Sequence, residues 1–161
     1  MEELLKELEE AKAKIAEIEK KIKEKQEEKS RRWKPQKGDE YWWVDSSGVI
    51  SSDVWDNDGL DNCRWRIGNC YQTEEECKFA REKLKVIAEL KEFEEPKDRE
   101  WNGEKYHYYI CYDYPKNIVK ISENWTTKRS DIYFESGEKA QQAINAIGVE
   151  RIKKYYLEVE E

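Results

Sequence analysis

Apolar residues recur in steps of four and three near the start of the chain and in steps of two further on. Leu4, Leu8, Ala11, Ile15, Ile18 and Ile22 follow the a/d spacing of a heptad seam, which predicts a coiled-coil helix. With Leu8, Ile15 and Ile22 at a, Glu7 and Lys14 fall at g and Lys12 and Glu19 at e. Opposite charges then meet across a parallel bundle, Glu7 with Lys12 and Lys14 with Glu19. Isoleucine at both a and d shifts the preference above two strands. The expected assembly is a parallel trimer or dimer through residues 4–22. Its rival is a solvated helix packing on its own domain.

Beyond Arg31-Arg32-Trp33 the period becomes that of strands. Asp39–Asp45 and Val49–Val54 predict a hairpin around Ser46-Ser47-Gly48. Asp56-Asn57-Asp58-Gly59 reads as a break, and Cys63–Tyr71 as a third strand. Thr73 with Glu76 forms a capping box, opening a helix to about Phe93 with the stripe Cys77, Ala80, Leu84, Ile87 and Leu90. Glu94–Glu100 is a linker.

The same grammar then returns. Gly38 to Val44 answers to Gly103 to Tyr109, which sets Tyr41 against Tyr106 and Trp42 against His107. Tyr71 answers to Phe134 and Cys77 to Ala140. Strands are expected near Lys105–Tyr112, Ile118–Trp125 and Asp131–Phe134. A short helix follows, with Ala140, Ala143, Ile144 and Ile147 on one face and Gly148 as an αL C-cap. Tyr155, Tyr156 and Leu157 should dock behind it. The expected fold is α+β: a coiled-coil helix over 1–32, then a duplicated β-β-β-α unit over 33–95 and 101–161. The two copies would share one domain, an antiparallel sheet with helices on one face.

Composition sharpens this division. Residues 1–32 hold 10 basic and 10 acidic side chains and no aromatic. The remainder carries the whole net charge of −7 and all 20 aromatics, so it is expected to fold despite its low hydropathy. An acidic surface repels phosphate backbones, which argues against nucleic-acid and membrane-surface binding. No apolar run reaches the roughly 20 residues of a membrane helix, and charges from Glu2 onward leave no secretory h-region. Cys63, Cys70, Cys77 and Cys111 are therefore expected as reduced thiols in a cytoplasm.

The chemical motifs are weak. Asp56-Asn57-Asp58-Gly59-Leu60-Asp61 invites a calcium reading but fails the EF-hand register, since Gly59 at position six puts Val54 at one and Trp65 at twelve. Cysteines seven apart and a single histidine give no zinc spacing. His107, between Tyr106 and Tyr108, reads as a tyrosine-like filler rather than a base. No catalytic residue, metal or cofactor is assigned, and no enzymatic activity is expected.

The aromatics carry the remaining information. Alternation sends Tyr41, Trp43, Tyr106 and Tyr108 to one face, and Trp42, His107 and Tyr109 to the other. Such rings build a core in a domain short of leucine, or an interface, where Trp, Tyr and Arg dominate the energetics. The densest cluster, Trp55, Asp56, Asp58, Arg64, Trp65 and Arg66, is the candidate binding site. Rings beside arginines also suit a nucleotide.

Trp33-Lys34-Pro35-Gln36-Lys37-Gly38-Asp39-Glu40-Tyr41, Trp55-Asp56-Asn57-Asp58, Ile67-Gly68-Asn69, Thr73-Glu74-Glu75-Glu76 and Arg151-Ile152-Lys153-Lys154-Tyr155-Tyr156 resemble a group of small uncharacterised phage and prophage proteins of Gram-positive bacteria. The resemblance covers nearly all of 33–161. It implies a cytoplasmic accessory protein of an infected host cell, a host-takeover or anti-defence factor that binds a host protein. The alternatives are a sponge for a nucleotide immune signal and, less favoured, a nucleic-acid-binding protein.

Overall fold

A computed structural model describes residues 11, 12, 14–21 and 32–159. Residues 11, 12 and 14–21 are helical and exposed, Ile15 and Ile18 included, and Glu17 pairs with Lys21 one turn on. Leu4, Leu8 and Ile22 lie outside the described residues. The rest is α+β and divides into two compact units, 32–43 with Ser52–Gln72, and Val44–Ser51 with 73–159. Among the described residues, no helix is long and apolar enough to cross a membrane.

Strands β1 (Glu40–Val44) and β2 (Ile50–Val54) form the expected hairpin. Its turn is fastened by Asp45, whose Oδ1 accepts from the N–H groups of Ser47 and Val49 at 2.8 Å. The predicted strand at Cys63–Tyr71 is instead a helix, α1 (Gly59–Arg66). The Asp-rich run that reads as a break is its start: Asp58 accepts from the Asp61 N–H, and Asp61 reaches back to the Asp58 N–H, a capping box. Only Tyr71 makes strand-like contact, a two-bond bridge to Trp42. The first unit's core is small: Tyr41, Trp55 and Cys70, flanked by Trp33, Trp43 and Trp65.

In the second unit, Thr73 caps α2 (Glu74–Lys91). Its buried positions are Cys77, Val86 and Leu90, whereas Leu84, placed in the stripe by sequence, is 60% exposed. Strands β3 (His107–Asp113) and β4 (Ile118–Asn124) pair antiparallel, with Ile110 opposite Ile121. The expected strand at Asp131–Phe134 contracts to one bridge, Phe134 to Tyr108. Ser136 then caps α3 (Gly137–Ile147), whose Ala140, Ala143, Ile144 and Ile147 are all buried, as their spacing predicts. They join Val86, Leu90, Ile110, Ile132, Phe134 and Ile152 in one core. Gly148 has the positive φ expected of a cap, but its ψ of 135° lies outside the αL region. After α4 (Val149–Arg151) comes a π-helical turn, Ile152–Tyr156, closed by the Leu157 N–H on the Ile152 carbonyl. It packs along α2, with Tyr155, Tyr156 and Leu157 against the core.

The predicted shared sheet is two separate two-stranded sheets. The isolated bridges do not follow the expected match of Gly38 to Val44 with Gly103 to Tyr109. Sequence sets Trp42 against His107, but Trp42 bridges Tyr71 while Tyr108 bridges Phe134. A one-residue slip exchanges the faces of a strand. Tyr41 and His107, each one residue before a bridge residue, are both fully buried.

Candidate functional site

The sequence-assigned cluster lies within the first unit, where most of its chemistry is directed inward. Trp55 is buried, its ring edge-to-face with Tyr41 at 5.8 Å. Arg64 is spent three times: Nη1 donates to Tyr41 Oη at 2.5 Å and to Asp53 Oδ2 at 2.8 Å, and its guanidinium lies 3.7 Å from the Trp43 ring centroid. Trp65 donates Nε1–H to the Trp33 carbonyl, and both Arg32 and Lys34 lie over its ring, at 4.1 and 4.9 Å. Asp56, Asp58 and Arg66 are exposed. The structure thus brings Trp55, Arg64 and Trp65 together as packing and leaves the charged members on the rim.

Asp61, legible in the sequence only as the end of the Asp-rich run, holds this unit together. It is 3% exposed, and its Oδ1 accepts from Tyr41 Oη at 2.7 Å. Its Oδ2 accepts from the N–H groups of Asp56 and Asn57 at 2.9 and 3.0 Å, with Asp58 at 3.4 Å. Burial alone would raise the Asp61 carboxyl; the Tyr41 hydroxyl and the three N–H groups overcome it and hold it below the usual carboxylate value. Tyr41 moves upward, through burial and then through the Asp61 hydrogen bond, against the opposing pull of Arg64. Asp56, Asp58 and Asp61 bring their carboxylates within 4.8 Å of one another. Four donors converge on the Asp61 carboxylate, so this arrangement serves as a hydrogen-bonded helix cap.

A second arrangement, in the second unit, is open to a partner. The register Tyr108 to Glu123 puts a tyrosine and a carboxylate side by side at the rim of the sheet face that continues inward through Ile110 and Ile121. The Tyr108 ring lies against the start of α3, where a Cβ added to Gly137 would stand 3.8 Å from it. Between them opens a groove of about 700 Å³, lined by Tyr108, Ile121, Glu123, Glu138 and Gln141. Tyr106 and Trp125, just beyond the paired strands, meet edge-to-face at 5.0 Å and remain 44% and 45% exposed. Burial raises the Tyr108 hydroxyl, and the neighbouring Glu123 and then Glu138 add to it, a sign of the groove's negative field. Glu138 is held low by its own backbone N–H and by Ser136.

Alternation alone set Tyr106 and Tyr108 on one face, without saying which face is core. Glu123 and Glu138 were not legible, because only strand pairing and the α3 start bring them to the rings. His107 lies apart, fully buried, with Nδ1 at 2.6 Å from Glu95 and its ring on Trp101. No family model, no curated protein and no solved structure matches the chain.

Proposed function

We propose that the chain is a non-enzymatic, oligomeric phage accessory protein that acts in the host cytoplasm by binding a basic surface of a host protein. The observation that carries this reading is the groove of Tyr108, Glu123 and Glu138 beside the exposed Tyr106–Trp125 pair. Carboxylates beside accessible ring faces suit lysine and arginine side chains. Each cation over an exposed ring is worth about 0.5–1 kcal/mol, and the net charge of −7 speeds the encounter. A host protein that itself binds nucleic acid presents such a surface.

The heptad seam through Leu4, Leu8, Ala11, Ile15, Ile18 and Ile22 would assemble copies and multiply weak contacts without adding new ones. Exposed Ile15 and Ile18 on a helical segment are in keeping with it. The duplication reading draws support from the paired bridges and from the Thr73 and Ser136 caps that follow each by two residues.

The test is affinity capture from the host with the untagged chain's own oligomer, run beside Glu123→Arg and Trp125→Ala. A host protein rich in lysine and arginine, retained by the parent and lost by both variants, is expected. Equal retention by all three would remove the groove from the reading.

A further inference from the structure

A second cleft in the same unit as the acidic groove carries a different chemistry. It measures about 360 Å³ and is bordered by Tyr109, Tyr112, Tyr114, Tyr156, Arg129 and Asp131. That size lies within the usual range for small-ligand sites. Four phenol rings border one small space, and Tyr114, on the β3–β4 turn, is 73% exposed. It stands edge-to-face with Tyr112 at 5.0 Å, and Lys153 lies 5.8 Å from the Tyr112 centroid.

The walls are fixed before any ligand arrives. Tyr133 Oη accepts the backbone N–H groups of Arg129 and of Ser130, the latter at 2.9 Å. Ser130 Oγ shares a hydrogen bond of 2.9 Å with Tyr156 Oη. Tyr156 is in turn carried by the π-helical turn that docks on the core. The segment bearing Arg129 and Asp131 is therefore pinned by two tyrosine hydroxyls, while the exposed Arg129 side chain is left at the mouth.

We propose that this cleft binds a free mononucleotide, the base stacked among Tyr109, Tyr114 and Tyr156 and the phosphate on Arg129. Every nucleobase offers a π face, and stacking on an aromatic side chain is worth about 1–3 kcal/mol per base. Arginine meets phosphate with a two-pronged donor set. Asp131 supplies an acceptor for an exocyclic amine at the cleft's rim, which favours adenine, guanine and cytosine over uracil.

Isothermal titration of the full chain with AMP, GMP, CMP and UMP tests this directly. Saturable binding at one nucleotide per chain is expected, weakest for UMP. Tyr114→Ala and Arg129→Ala should each weaken it about tenfold, while Tyr114→Trp, which keeps a stacking surface, should retain it. Both substituted positions are exposed, so the fold does not depend on them. No binding by any of the four at millimolar concentration would overturn the proposal. Binding unchanged in both alanine variants would do the same, as would a short oligonucleotide that binds far more tightly than its monomers through the same residues. The groove's protein partner is read from capture experiments alone, so either assignment can fail without the other.

Discussion

The imidazole of His107 lies flat on the indole of Trp101, centroids 3.7 Å apart and planes within 8°. Its Nδ1 sits at 2.6 and 2.9 Å from the two Glu95 oxygens, and Arg99 Nε lies 3.3 Å from the same carboxylate. His107→Ala removes a fully buried ring and leaves the largely buried Glu95 carboxylate without its imidazole partner. A loss of about 3 kcal/mol is expected, read as a lower urea midpoint with an unchanged slope.

Asp61 makes the first unit sensitive to acid. Its carboxyl is held below the ordinary value, so its contribution is complete above about pH 4 and is lost as pH falls through the folded-state value. Tryptophan fluorescence during guanidinium unfolding should show a midpoint that drops as the pH falls below about 4. In Asp61→Asn the midpoint should start lower at pH 7, by about 1–3 kcal/mol, and vary less with acid. Identical acid profiles for the two proteins would contradict this assignment.

The four thiols should separate by reactivity. Cys63 is exposed, whereas burial pushes Cys70 and Cys77 up to about 11 and raises Cys111. With a disulfide reagent at pH 8, one thiol should react promptly and Cys70 and Cys77 only on unfolding. Cys63→Ser should abolish the prompt phase.

Gly148 ends α3 at φ 97°, ψ 135°, where an added Cβ would meet nothing within 4 Å. The cost of Gly148→Ala therefore comes from the backbone alone, about 1–3 kcal/mol. Thermal unfolding should register it, and Gly59→Ala, at the start of α1 without a positive φ, should not show a comparable loss.

What the sequence made legible depended on how local each signal was. The α3 face was readable because Ala140, Ala143, Ile144 and Ile147 keep helical spacing directly after a serine cap. The β1–β2 and β3–β4 hairpins were readable from alternation and their turns. The α1 helix was missed because Cys63, Trp65 and Ile67 alternate like a strand, although the Asp58–Asp61 capping box was already written there. The expected stripe includes Leu84 and omits Val86, because Lys83 interrupts the face that Val86 shares with Leu90; packing buries Val86 and leaves Leu84 exposed. Hydrogen bonding, invisible in spacing, directs Arg64 to Tyr41 and Trp65 to the Trp33 carbonyl. The acidic groove needed the Tyr108–Glu123 register, which no local pattern encodes.

The first unit buries few apolar side chains and relies on the chain Asp53–Arg64–Tyr41–Asp61. Unfolding such a unit hydrates much polar and little apolar surface, and the two contributions to heat capacity have opposite signs. Its stability curve is therefore shallow. It gives up little when cooled, melts over a broad interval when warmed, and owes its persistence to a circuit of charges rather than to the expulsion of water from oil.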